Sequence, residues 1–454
     1  MSSVFGTLSS AAAALEAQRR GLDVAGQNIA NVNTAGYTRR TLDLTERTPA
    51  GAGDAGGGVA IGQVRAVRDV FLEARIRQEV QASARDGVVA DSLSVVEAQL
   101  GQTGASVDAQ LSTFFDSFAS LADDPSSTTL RDSVSREADR LGASFREMSS
   151  RLGESQKNAD TGVRTAVDQI NSLAKNIASL NVQIQSAGDG DSESLVDART
   201  ESLKQLSSLA DINVTETSGV LTVSLPGGQN LVSGGLVTGL TTTDEAVTGL
   251  ARVMSGGADI TASITNGTLG GHLQVRDALL PGYRASLDRL AYAVATQVNA
   301  VHATGTDALG NPGGSLFDVS ATEAGAAATL KVSDAVAADS RLIAAGGASA
   351  NDVAHGIAAL RDAPIVGGAT PADDWGQIVY RVGADSADAH QSQTGRGQVM
   401  TQLQKLRDAT SGVSLDEEAG SLMRYQRAYE ANARYFSLVN GLLDTLMQMT
   451  VVGA

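Results

Sequence analysis

Residues 1–32, MSSVFGTLSSAAAALEAQRRGLDVAGQNIANV, carry an apolar position at every seventh residue. Met1, Leu8, Leu15, Leu22 and Ile29 make one row, and Val4, Ala11, Gln18, Ala25 and Val32 make its companion. The far end keeps the same step. Leu415, Leu422, Tyr429, Phe436 and Leu443 form its row, with Tyr425, Val439 and Leu446 alongside and Asn432 as a polar interruption. A heptad pattern held over four or more repeats lays one apolar stripe along a helix, and the stripe must be buried against something. The first stripe has Ala where the second has bulky residues, so the pattern predicts that the two chain ends pair as coiled-coil helices. For either end alone, an amphipathic helix on a globular core stays open.

The C-terminal helix has a readable start. Ser411-Gly412 ends the preceding element, and Ser414 with Glu417 three residues on has the form of a capping box. Asp416, Glu417 and Glu418 then fall in the first turn, where negative charge suits the helix dipole.

Inward from the ends, residues 36–63 read as a glycine-rich connector or a small β element. Helices are predicted over 64–100 and 106–122, with Asp123-Asp124-Pro125 as a stop. A helix of about sixty residues follows from 127 to 186, roughly 90 Å long. Its rows are Val134, Leu141 and Met148 beside Ala138, Phe145 and Leu152, then Val163, Ile170, Ile177 and Ile184 beside Val167 and Ala174. A shorter helix spans 193–209. The period then drops to two: Ile212, Val214 and Glu216, then Leu221, Val223 and Leu225, flank Ser218-Gly219 as a β-hairpin. Strand-like runs continue to about 271. Helices return over 275–303, 351–361 and 372–408, with a loop at Asn311-Pro312-Gly313-Gly314 and a strand at Leu330-Lys331-Val332.

The fold class is therefore mainly α with β insertions: a long helical-bundle shaft with outward β-rich domains. Residues 1–45 and 412–454 are the terminal coiled-coil-forming helices. Residues 46–211, 272–310 and 373–411 are the helical body, and 212–271 and 311–372 are expected as β-rich outer insertions.

Composition narrows the function. Of 454 residues, 42% are hydrophobic but only 4% aromatic, so Ala, Leu and Val must supply the packing. The net charge of −17, with only five Lys, argues against nucleic-acid and anionic-membrane binding. The absence of Cys excludes disulfides and thiolate chemistry. Residues before Arg19 include no basic side chain, so no cleaved secretory signal is expected, and no apolar run reaches membrane-spanning length.

Catalytic patterns are weak. Gly51-Ala52-Gly53-Asp54-Ala55-Gly56 matches a dinucleotide fingerprint by letters, but more glycine follows where a helix should begin. No Lys follows a Gly, so there is no P-loop. His272, His302, His355 and His390 lie far apart and are expected at the surface or half-buried. Asp189, Asp191 and Glu193 resemble the start of a calcium loop, but Ser194 and Thr200 replace its Gly and Glu. No catalytic residue, cofactor or metal is expected.

Two segments carry a resemblance. Asn28-Ile29-Ala30-Asn31-Val32-Asn33-Thr34-Ala35-Gly36-Tyr37-Thr38 is similar to the N-terminal motif of the rod, hook and hook-associated axial proteins of the bacterial flagellum. Ser411-Gly412-Val413-Ser414-Leu415-Asp416-Glu417-Glu418, leading into Tyr425-Gln426-Arg427-Ala428-Tyr429-Glu430-Ala431-Asn432-Ala433, is similar to their C-terminal signature. The interior stretches Leu225–Gly234, Leu269–Asp277, Leu280–Tyr283, Asn299–His302 and Gly310–Gly314 resemble the junction-forming, hook-associated branch of that family.

The resemblance implies a structural flagellar protein and no enzyme. It implies a place at the hook–filament junction, where the protein lets the filament assemble on the hook. It implies termini paired around a central channel, export by the flagellar type III route, and an extracellular flagellar location. The implied partners are copies of the same chain, hook protein, a second junction protein toward the filament, and an export chaperone at the C-terminal region. The implied assembly residues are Leu8, Leu15, Leu22, Ile29, Asn28, Asn31, Asn33, Gly36 and Tyr37 at the first end. At the second they are Leu415, Leu422, Tyr425, Tyr429, Phe436, Val439, Leu443 and Leu446. Physically, Asn33 and Gly36 suit the left-handed backbone that ends helices. Isolated terminal helices are marginal without packing, so disorder before assembly is expected. Another axial protein (hook or distal rod), an exported enzyme on an axial scaffold, and a cytosolic coiled-coil scaffold are the alternatives that the sequence leaves open.

Overall fold

The computed structural model describes residues 2–34, 36–47, 58–100, 106–187, 192–217 and 220–452, without the side chains of 2–5, 446 and 449–452. Met1, Val4, Ala35, Leu446, the glycine run 51–57, Asp189–Asp191 and Ser218-Gly219 are thus outside the described residues or side chains.

The chain begins with α1 (Ser2–Ala30), the strands β1 (Arg40–Glu46) and β2 (Val59–Ala66), and the helices α2 (Val70–Leu100), α3 (Val107–Asp123), α4 (Thr128–Ser186) and α5 (Ser192–Leu209). Strands β3 (Asn213–Thr217), β4 (Val220–Ser224), β5 (Asn230–Ser233), β6 (Leu236–Val237), β7 (Leu240–Asp244), β8 (Ala251–Ser255) and β9 (Ala258–Asp259) follow. Then come α6 (Gly267–Gln274), α7 (Leu280–His302), β10 (Phe317–Asp318), α8 (Ala326–Thr329), β11 (Lys331–Val332), α9 (Asp334–Ala338), α10 (Asp352–Ala359), α11 (Pro371–Ser411) and α12 (Leu415–Val452).

The 59-residue α4 organises the molecule. Ser127 caps it by accepting from the Leu130 amide at 3.3 Å. Its first half buries Val134, Ala138, Leu141 and Phe145 completely, against α2, α3, α7, α10 and the start of α11. Its second half buries Val163, Ile170, Ala174 and Ile177, against α5, α6 and both antiparallel meanders, β3-β4-β5-β6 and β7-β8-β9. One helix thus serves two apolar cores. Period-two burial makes the sheets: Leu221 and Val223 of β4 and Ala251 and Val253 of β8 face the second core. Glycine allows the closest approaches, since a Cβ at Gly162 would overlap the His272 ring.

Residues 267–302 run as helix with a π turn at Val275–Leu279. The Leu280 amide reaches back five residues to the Val275 carbonyl. In that register the Arg276 carbonyl would need an N–H from Pro281, which has none. The Gln156 side chain of α4 supplies the donor instead, at 2.9 Å.

Three expectations need correction. Residues 64–66, read as the start of a helix, are instead the end of β2, which pairs with β1 as the β alternative for 36–63 allowed. Residues 311–372, expected as β-rich, carry only two two-residue strands among the described residues and several short helices, packed into the first core. Runs of two residues leave no alternation to read. His302, expected at the surface or half-buried, is wholly buried because both ring nitrogens meet backbone partners.

Candidate functional site: the clasp between the chain ends

Two contacts set the direction of the terminal pair. Gly21 of α1 faces the Tyr425 ring of α12, and Asn28 bonds Glu418. The helices therefore run antiparallel. Ala17, Gly21, Val24, Ala25 and Asn28 are buried along α1. A Cβ at Gly21 would sit 2.5 Å from Tyr425 Cε1, so only glycine lets this aromatic ring lie against the backbone.

At the end of α1, Asn28 is a fully buried hub. Its Nδ2 donates to the Arg40 carbonyl at 2.9 Å and to Glu418 Oε2 at 3.1 Å. Its Oδ1 accepts from the Tyr37 hydroxyl at 2.9 Å and the Arg40 amide at 3.0 Å. All four hydrogen-bonding positions of the amide are used. Gly36, at φ +82°, turns the chain so that Tyr37 can reach back. Asn31 contributes locally, accepting from the Thr34 hydroxyl and donating to the Gln27 carbonyl.

Charge completes the clasp. Arg39 Nε donates to Glu418 Oε1 at 2.7 Å, its guanidinium lies 2.8 Å from Glu417, and its amide donates to the Ser411 carbonyl at 3.0 Å. The Arg40 guanidinium sits 5.0 Å from the centre of the Tyr37 ring. It also pairs with Asp197 of α5 at 3.3 Å. Arg68 pairs with Asp197 at 2.7 Å and Glu193 at 3.1 Å. These pairs tie the terminal helices to the body. Burial pushes the Tyr37 phenol up, so it remains a donor at neutral pH.

The residues predicted at the first end fall into two sets. Asn28, Asn31, Gly36 and Tyr37 build or flank the clasp, whereas Leu8, Leu15, Leu22 and Ile29 are half-buried beside the seam and Asn33 is exposed. On α12, Val439 is buried, Leu422, Tyr425, Phe436 and Leu443 are half-buried, and Leu415 and Tyr429 are exposed. Leu446 has no described side chain. Sequence reasoning missed Gly21, Arg39, Arg40, Arg68, Asp197 and the inward role of Glu418. The cluster Asp416-Glu417-Glu418 was a signal, read as dipole complement alone.

A second polar node joins body and β module. Buried Asp160 accepts from the Ala251 amide at 2.8 Å, Arg276 at 2.7 Å and Arg164 at 3.0 Å. Burial pushes the Asp160 carboxyl up, but these three donors outweigh it and hold it below the ordinary range. Among the described residues, no group of three His, Asp or Glu is placed to hold a metal ion, and no helix is long and apolar enough to cross a membrane.

The clasp is built from the two motifs that sequence comparison also marks. Residues 8–38 match the family described as flagella basal body rod protein, and 408–449 match the flagellar basal body rod FlgEFG protein C-terminal family. Between them, residues 93–317 match the flagellar hook-associated protein FlgK helical domain. Over almost its whole length the chain is similar to flagellar hook-associated protein 1. Flagellar hook-associated protein 1 of Escherichia coli K12 is 27% identical, over 97% of this chain and 99% of the relative. That of Bacillus subtilis 168 is 27% identical over 100% of both chains. The alignment with the E. coli member runs to 542 positions, more than the 454 residues here, so that member has internal segments this chain lacks. Among solved structures, the flagellar hook junction protein FlgK from Burkholderia pseudomallei is similar with a TM-score of 0.51 and 28% identity, over 54% of this chain and 46% of that one.

Proposed function

We propose that this chain is a structural subunit of the bacterial flagellum that forms the junction between hook and filament and lets the filament assemble on the hook. The carrying observation is the clasp. The two rod-type motifs, at opposite ends of the chain, close on each other through Asn28 and Glu418, and the family's helical domain lies between them. The role is mechanical rather than catalytic.

Self-association in an open helical array is part of this reading. Along α12, Tyr435, Leu438 and Leu442 are 47%, 67% and 60% exposed at helical spacing, an apolar row that α1 leaves uncovered. Head-to-tail contacts through such a row propagate instead of closing. Its neighbours would be hook protein on one side and a second junction protein on the other. Before assembly an export chaperone would cover the C-terminal region, and secretion would carry the chain to an extracellular place on the flagellum.

The test is deletion of the gene, with electron microscopy of the cells and assay of flagellin in the medium. Hooks without filaments, with flagellin lost to the medium, are expected. Missing hooks would place the protein in the rod or hook instead, and normal filaments would overturn the reading.

A further inference from the structure

Asn299 and His302 lie on the last turn of α7, and both bind the chain that follows. Asn299 Oδ1 accepts from the amides of Leu316 and Phe317, each at 2.9 Å, and its Nδ2 donates to the Phe317 carbonyl at 2.8 Å. His302 is wholly buried. Its Nδ1 lies 2.7 Å from the Gly314 carbonyl oxygen and its Nε2 lies 2.8 Å from the Ala344 amide nitrogen.

A carbonyl oxygen only accepts and an amide N–H only donates, so these partners assign one tautomer: the proton on Nδ1, the lone pair on Nε2. An imidazolium carries N–H at both nitrogens and would point one of them at the Ala344 N–H. The surrounding charges offer the ring no acceptor. Arg131, from α4, is a cation that bonds the carbonyls of Ile343 and Pro125. Asp307 is occupied by the amides of Leu309 and Asn311 and the Asn311 side chain. Arg341 pairs with Asp339, and Asp352 of α10 is taken up by the amides of Gly347 and Ala348. His355, also on α10, is exposed.

We propose that His302 is an acid-sensitive latch: protonation of its ring releases the Ala344 amide and loosens the segment 303–346 from the end of α7 while the shaft stays folded. Burial, assisted by Arg131 and opposed by Gly314 and Asp307, holds the ring below the ordinary imidazole value. A histidine depressed in the closed form stabilises it fully above the open-form value, about 6.5, and progressively less as pH falls below that.

The experiment is hydrogen–deuterium exchange of the full chain at pH 7.5 and 5.0, with rates corrected for intrinsic pH dependence. Protection of amides 343–346 should fall about tenfold, within the roughly thirtyfold that an open-form imidazole near 6.5 permits at pH 5.0, while α4 keeps its protection. His302→Gln should remove the difference. A variant with His272, His355 and His390 all changed to Gln leaves His302 as the only imidazole of the four, and should retain it. Protection that is equal at both pH values in the wild type overturns the proposal. So does a pH effect that survives in His302→Gln or vanishes in the triple variant. Should His302→Gln not fold, the wild type and the triple variant decide.

Discussion

Asn28 and Glu418, 390 positions apart in the chain, share a buried hydrogen bond of 3.1 Å. Neither group is free to turn to water, since they are 0% and 3% exposed. Removing one strands the other. Asn28→Ala would orphan Glu418 Oε2 and the Arg40 amide, at about 1–3 kcal/mol for each buried polar group left unpaired. The expected result is faster trypsin cleavage within α1 and α12, with the body intact. Asn28→Asp should be worse, because it sets a second carboxylate against Glu418. Wild-type resistance in both variants would show that the bond does not hold the ends together.

Gly21 tests the seam itself. Gly21→Ala drives a methyl into the Tyr425 ring, and overpacking of this kind costs about 1–3 kcal/mol. Tyr425→Ala should relieve that clash, so the double variant should be less destabilised than the sum of the two single ones. Additive losses in a double-mutant cycle would mean the ring does not lie against Gly21 in solution.

The pairing of α2 with α11 depends on charge. Arg396 bonds Asp86 at 2.5 Å and Glu79 at 3.2 Å, and both acids are largely buried. Arg396→Ala takes the cation from Glu79 and leaves Asp86 with Arg85 alone, at a cost on the order of 2 kcal/mol after allowing for the partly exposed arginine. Urea unfolding at neutral pH reads the loss. A midpoint unchanged from wild type would mean that water replaces the guanidinium at no cost.

Asp160 fixes a direction in pH. Its carboxyl is held below the ordinary value despite burial. Its contribution is therefore fully present above the unfolded value, about 3.9, and is lost as pH falls through the folded one. Asp160→Asn should unfold at lower urea concentration at pH 7, and the gap from wild type should narrow toward pH 3. A constant gap would assign the loss to packing rather than to charge.

The uncovered row on α12 separates folding from assembly. Leu442→Asp places a charge on a side chain that is 60% exposed. The thermal transition of the isolated chain should stay put while polymer formation, followed by sedimentation, is lost. Leu443→Asp, on a half-buried side chain, should block assembly as well and leave the central body folded. Unfolding of that body would remove the distinction between the terminal pair and the shaft.

Much of this architecture was legible in the sequence, for definite reasons. The apolar rows of α4 repeat over 59 residues, too long for chance to imitate, and the alternation around Leu221 and Val223 marked β4 directly. The eleven-residue motif from Asn28 to Thr38 pointed at the clasp. The phase of the α1 seam did not follow. A count of hydrophobic side chains selects Leu8, Leu15 and Leu22, whereas a tight helix contact selects the small Ala17, Gly21 and Ala25 and leaves the leucines at its margins. The Asp197–Arg40–Tyr37 chain was invisible, because opposite charges over a hundred positions apart carry no pattern. Residues 311–372 gave no alternation, since their strands are two residues long.

The antiparallel α2–α11 pair, held at Arg407–Glu73 and Arg396–Asp86, has a consequence for the order of events during folding. Alone, Asn28 and Glu418 would have to find each other across almost the entire chain, an entropic cost that grows with the logarithm of the loop. Once α2 and α11 have zipped, the intervening three hundred or so residues no longer count. What then separates α1 from α2 in the chain is 31–69, and α11 from α12 only 412–414. The molecule should close from the middle outward, with the amide of Asn28 among the last groups to be sealed from water.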